Sequence, residues 1–327
     1  MVPRFFCLGT KKKLENRKDS DIFSLTEGIT LQHNYGVKMK IVIIDGYNMI
    51  HRCRFNWSGG LAAGPHQIVY NFFRVLKATI DDSTIDKVYF VTEGKPAHRL
   101  DIDSEYKANR VASDLSPEEV EYWDSFHTQK STILDLVATS FPVTLVRHPN
   151  YEADDVIYYL AKEHHPDDDV KIVSSDTDFI QILNEFSGRV SLWNPISKEF
   201  RENTEYDYVK WKAMVGDRTD NIKGVPRIGK KTAAKILGTP GELEKRMKDL
   251  NFSTAFNKSY SLIKLADLSA EKDEVSFSEA TVDWDYIRDS FNYMEFKFSF
   301  DEASWLKYTS SFEHLDNNYI GDNDGIF

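Results

Sequence analysis

KIVIIDGYN, residues 40–48, sets the reading of the whole chain: four consecutive β-branched residues, too few for a buried helix, close on an acid and a glycine. A short run that is apolar on both faces is the pattern of a strand in the middle of a parallel sheet. It predicts a strand that delivers Asp45 at its carboxyl end. Working outward, the same unit recurs in KVYFVT (87–92), VTLVR (143–147), KIVSS (171–175) and RVSLW (189–193). Between these runs lie amphipathic or helical stretches: 66–80, a long polar region, YEADDVIYYLAKEHH (151–165) and DFIQIL (178–183). Alternating strand and helix patterns predict an α/β fold, a mostly parallel sheet flanked by helices. In such sheets ligands bind beyond the carboxyl ends of the strands. No GxGxxG follows the first strand, so nothing supports a dinucleotide site.

Acids gather where that rule places a site. Asp45, Glu93, Glu152, Asp154, Asp155, Asp176 and Asp178 each follow a strand or open the next helix, and Asp217 and Asp220 stand in MVGDRTDN (214–221). Each alone has a plain structural reading as an N-cap, a first-turn acid or a turn residue. Together they imply something more, because carboxylates drawn from distant segments repel unless cations sit among them, and hard divalent ions prefer all-oxygen cages. The expectation is a pair of Mg²⁺ ions, or Mn²⁺ in their place, about 4 Å apart, activating water and steadying a leaving oxygen.

The net charge of -11 is unevenly spread. Residues 267–327 hold fifteen Asp/Glu against four Lys/Arg, the whole excess, whereas 218–246 hold eight Lys/Arg against three acids. A basic stretch beside an acidic metal cluster suits cleavage of a phosphodiester backbone. Two cysteines, Cys7 and Cys53, are too few for a disulfide scaffold, and no Cys/His spacing suits zinc, which favours a reducing cytoplasm. Apolar runs fall well short of the roughly 20 residues that span a bilayer, so no membrane role is expected. Residues 1–38 are polar and aperiodic and read as a flexible extension, with Met39 standing directly before the first strand.

Past about residue 205 the pattern turns helical. GVPRIGKKTAAKIL (224–237) has the glycine and lysine separation of a phosphate loop, but Lys231 occupies the Ser/Thr position and no strand precedes it. Glycines between two helices predict instead a tight hairpin whose backbone N–H groups hold a DNA phosphate, with Gly224, Gly229, Lys230, Lys231 and Lys235 in contact. In EYKANR (105–110), Lys107 and Arg110 sit at helical spacing beside Tyr106. A cationic pair next to an aromatic suits holding a scissile phosphate while a terminal base stacks on the ring, with Arg99 assisting.

DGYN, YKANR, YEADD, SSDTDF and GDRTDNIKGVPRIGKKTAAKIL occur in the order seen in the 5′-nuclease family, which comprises phage 5′–3′ exonucleases, flap endonucleases and the 5′-nuclease domain of bacterial DNA polymerase I. The chain resembles that family over residues 40–300. The resemblance implies a PIN-like core with arch over 39–204, a helix-three-turn-helix DNA-binding region over 205–300 with its module at 216–238, and a C-terminal tail over 301–327. It implies that the nine acids named above hold metal, that Lys107 and Arg110 act with Asp176 at the scissile phosphate, and that Tyr106 is the stacking ring. A potassium ion at the hairpin is a further expectation. Glu93 departs from the pattern, standing where the family has Asp, and the arch region, 108–135, lacks the family's basic run. The implied function is a monomeric, structure-specific 5′ nuclease acting on DNA 5′ ends, flaps or RNA–DNA hybrids in replication, in host cytoplasm if phage-encoded. A PIN-like endoribonuclease on single-stranded RNA and a non-catalytic DNA-binding protein remain the competing readings.

Overall fold

The computed structural model describes residues 38–55, 60–62, 64–110 and 115–316. The expected N-terminal extension, apart from Lys38, and the end of the chain beyond Asp316 lie outside the described residues.

The run at 40–48 is the centre of the sheet. Strand β1 (Lys40–Asp45) pairs in parallel with β2 (Lys87–Thr92) on one side and with β4 (Asp169–Val173) on the other. Parallel pairing continues from β2 to β3 (Thr144–Arg147) and from β4 to β5 (Val190–Asn194). Two antiparallel edges complete the order β6-β5-β4-β1-β2-β3-β7: β6 (Glu199–Phe200) on β5 and β7 (Ser276–Glu279) on β3. The strand order reverses between β1 and β4, which makes their carboxyl ends the expected place for a site.

Alternation along β1 divides the core. Val42 and Ile44 face α1 (Gly46–Arg52), α2 (Gln67–Ile80) and the C-terminal half of α4 (Pro117–Thr139); α3 (Ala97–Ile102) lies before α4 in the chain. Ile41 and Ile43 face α5 (Ala153–Tyr159) and α6 (Ile180–Glu185). Each such fully buried side chain contributes roughly 1.5–3 kcal/mol through removal of apolar surface from water. Helix α4 starts on a capping box, Ser116 with Glu119, behind Pro117. Its fully buried stripe begins only at Phe126, preceded by the partly buried Trp123, and Val120 in the first turn is exposed. This helix is the larger described part of the region expected to form the arch.

A third cluster is built by α7 (Tyr208–Val215), α8 (Lys230–Gly238), α9 (Glu242–Arg246) and α10 (Leu250–Ile263). The chain does not stay there. After Leu265 and Leu268 rejoin the α5 face, β7 adds to the sheet, and α11 (Trp284–Tyr293), α12 (Lys297–Phe300) and α13 (Glu302–Thr309) cover the α2 face. The expected span 205–300 is thus divided between the third cluster and the two faces of the sheet, and within the expected tail Trp305, Tyr308 and Phe312 are buried against Phe73, Phe141 and Phe291.

The α7–α8 connection is shaped by two glycines in close backbone approach. Gly216 (φ 81°) ends α7, Gly224 has φ 68°, and a Cβ on Gly216 would lie 2.5 Å from the carbonyl oxygen of Ile222. Between them Asp217 and Ile222 exchange backbone hydrogen bonds of 2.8 and 2.7 Å. Gly216→Ala is expected to destabilise the protein by about 2 to 3 kcal/mol in urea unfolding, from strain and overpacking together. Gly238→Ala, which meets open space, should be near neutral.

Candidate active site

The nine acids do converge, but they form three groups distinguished by the cations that answer them. Asp45 ends β1, Glu93 follows β2, Asp154 lies in the first turn of α5, and Asp176 follows β4. Asp45 feels the charges of Glu93 and Asp176, and Asp154 those of Asp176, Asp45 and Glu93. Ser174 bonds two of them, donating its hydroxyl to Asp45 at 2.8 Å and accepting the Asp176 N–H at 3.0 Å. Asn48 accepts both the N–H and the hydroxyl of Ser175, which fastens α1 to the β4 loop. Among the described residues no Lys, Arg or His lies within ion-pair distance of these four carboxylates. Their protonation reflects it: desolvation first, then the neighbouring charges, pushes Asp45 up to about 7 and Asp154 well above the usual carboxylate range. Glu93 is raised for the same reasons, partly offset because it accepts the Ala153 N–H at 2.9 Å.

In the second group, carboxylate oxygens of Asp178, Asp217 and Asp220 lie within 4.8 Å of one another. Here cations are present. The ammonium of Lys212, on α7, contacts Asp178 and stands 2.6 Å from Asp217. Burial pulls Lys212 down, but Asp178 and the other neighbours outweigh it and hold the ammonium charged. Asp220 takes Arg110 at 2.5 Å and Lys107 at 3.8 Å. Lys107 also pairs with Glu152.

The third group is Glu152 and Asp155. Arg99 is only 3% exposed and grips Asp155 with both guanidinium nitrogens (2.6 and 2.8 Å), Glu152 with one (2.8 Å) and the carbonyl of Leu262 with its Nε (2.9 Å). Asp155 further accepts the Ala266 N–H at 2.8 Å.

These contacts bear on three of the expected site residues. Asp155 is 0% exposed and is held by the Arg99 guanidinium and the Ala266 N–H, which makes it a buried ion-pair partner. Arg99 is buried in that pair. Tyr106, 6% exposed, packs with the α7–α10 cluster and donates its hydroxyl to Glu152 (2.9 Å) and Asp220 (3.3 Å), so its ring is not presented to a base. The segment around it is a turn rather than helix: Lys107 has φ 57° and donates its N–H to the Asp220 carbonyl, Asn109 donates to Arg218, and Asn221 donates to Glu105. These bonds stitch 105–110 onto 217–221 and hold Lys107 and Arg110 beside the acids.

Gly229 caps the N-terminus of α8 with no side-chain partner, and Lys230, Lys231 and Lys235 are exposed; Gly224 is buried at the close approach and supplies shape. Sequence reasoning missed Lys212, Asn48 and Ser174. The signal for Lys212 was its position four residues after Tyr208 on the apolar stripe of YVKWKAMV, where a lysine has no solvent.

An all-oxygen donor set carrying unanswered negative charge fits hard divalent ions. Fold and site define a PIN-like α/β protein with an acidic centre and a basic helical hairpin attached. The chain belongs to the 5′–3′ exonuclease family: the model of its N-terminal resolvase-like domain matches residues 40–215 and that of its C-terminal SAM fold matches 204–285. It is 33% identical to the thermostable DNA polymerase I of Thermus filiformis over 223 residues, 65% of this chain and 25% of that one; the chain thus spans about a quarter of such polymerases. It is 27% identical to a 5′-3′ exonuclease of Aquifex aeolicus over 285 residues, 79% of this chain and 92% of that one. The fold is similar to that of the bacteriophage T5 flap endonuclease in complex with DNA and metal ions, with a TM-score of 0.58 at 20% identity over 85% of this chain and 99% of that one.

Two measurements check the electrostatics. Arg99→Met should destabilise the protein by about 3 to 5 kcal/mol in denaturant unfolding, since it leaves the buried Asp155 carboxylate without a cation. The second concerns pH. In the fold Asp45 and Asp178, raised to about 7 and about 6, hold protons that the unfolded chain releases near pH 4. Their contribution to stability is complete below that pH and is lost as pH rises through about 6 to 7. In chelator, the melting temperature should fall from about pH 5.5 to 8, less steeply in Asp45→Asn, and divalent ions should restore it at the upper end. Superimposable wild-type and Asp45→Asn profiles would contradict the assignment.

Proposed function

We propose that the chain is a structure-specific 5′ nuclease that hydrolyses phosphodiester bonds of DNA flaps or primers with Mg²⁺ as cofactor. The observation that supports this reading best is the group of four carboxylates without a paired cation at the sheet's switch point, stitched through 105–110 to a basic helical hairpin. Asp45, Glu93, Asp154 and Asp176 would hold one ion, and Asp178, Asp217 and Asp220 a second; bound there, the ions supply an activated water and charge stabilisation for the leaving oxygen. Lys107 and Arg110, held at Asp220, can turn toward a scissile phosphate as it approaches. Lys230, Lys231 and Lys235 with the α8 N-terminus grip duplex backbone away from the cut. The proposed domains are a nuclease core over 39–204, completed by 265–316, and a DNA-gripping insertion over about 205–264.

The test uses 5′-labelled flap, blunt duplex, RNA–DNA hybrid and single-stranded RNA with Mg²⁺. The flap should be cut fastest, and Asp176→Asn should slow it at least about a hundredfold, roughly 2.7 kcal/mol of transition-state stabilisation. Preference for single-stranded RNA would favour the endoribonuclease reading. Equal inertness of wild type and variant on every substrate would overturn the enzyme assignment.

A further inference from the structure

The two carboxylate groups at the active site are unequal before any ligand arrives. The first offers Asp45, Glu93, Asp154 and Asp176 with no cation in ion-pair contact among the described residues; the second offers three carboxylates already in contact with Lys212, Lys107 and Arg110. Those three cations differ in how firmly they are held. Arg110 is half exposed and stands in a short 3₁₀ turn, and Lys107 lies in a left-handed turn shared with Glu152, so both can leave. Lys212 is 7% exposed and projects from the middle of α7, whose Tyr208 is anchored by a 2.9 Å hydrogen bond from its hydroxyl to Thr177. Its ammonium has nowhere to go.

We propose that Lys212 is a built-in counter-ion: lodged between Asp178 and Asp217, it weakens the hold of the second carboxylate group on a divalent ion, so the four-acid group fills first. Two carboxylates shared with a fixed positive charge attract a cation far less than two free ones, and at these separations one unit charge changes the affinity by tenfold or more. The second ion then binds well only when a phosphate adds negative charge, which ties its arrival to substrate. This inference rests on reading the acids as metal ligands. It makes Lys212 a positioning residue that acts through Asp178 and Asp217.

Titration of the full chain with Mn²⁺, counting free ion by electron paramagnetic resonance without nucleic acid, tests it. Wild type should bind one ion at least about tenfold more tightly than the second. Lys212→Met should melt at a lower temperature in chelator yet bind the second ion about tenfold more tightly, while Lys212→Arg should keep the wild-type inequality. If the methionine protein does not fold without metal, Lys212→Gln, whose amide still donates to one carboxylate, takes its place. A purely structural lysine would show the loss of stability with the second dissociation constant unchanged, and that result overturns the proposal, as do two wild-type ions bound equally. No ion bound by wild type at all would instead refute the metal-ligand reading itself.

Discussion

Like-charge repulsion is the constraint around which this fold is arranged. Nine acidic side chains cannot crowd one sheet edge unless their charge is met, and the chain meets it in two ways. Glu152 and Asp155 are answered by a buried guanidinium, Asp178 and Asp217 by a buried ammonium, and Asp220 by Arg110 and Lys107. The remaining four have no cation within ion-pair distance among the described residues, and Asp45, Glu93 and Asp154 are pushed toward their protonated forms instead. Removing a partner from a buried pair is costly, whereas leaving a cluster unanswered stores a demand for cations. The first arrangement stabilises the scaffold; the second is where chemistry can happen.

Arg99 shows how the two are joined. Its fork connects α3 to the first turn of α5, and its Nε reaches the end of α10. By fixing Asp155 it fixes the pitch of α5's first turn, and so the direction in which the adjacent Asp154 points. One buried cation thereby orients a carboxylate it never touches.

How much of this was legible in the sequence depended on burial. Strands β1 to β5 could be read because their residues are held between two layers and must be apolar on both sides. The edges β6 and β7 could not, since Glu199, Phe200 and all of Ser276–Glu279 are exposed and carry no period. The acids were visible as a set for the same reason that their roles were not: type and spacing show that carboxylates are gathered, but only contacts sort them. Asp154 and Asp155 are neighbours in the chain and opposite in fate. Tyr106 beside two cations looks like a stacking platform until its ring is found under the α7 to α10 cluster, and Lys212 looks like any helix lysine until both its partners are seen.

The return of the chain from α10 to β7 and the last three helices makes the hairpin an insertion within one core, anchored at both ends. Lys107 and Asp220 further pin its turn by a backbone bond. On the proposed reading, the interval between the surface that would grasp a duplex and the acids that would sever it is a fixed gauge, machined into the scaffold. Where a strand is cut would then follow from where it is held.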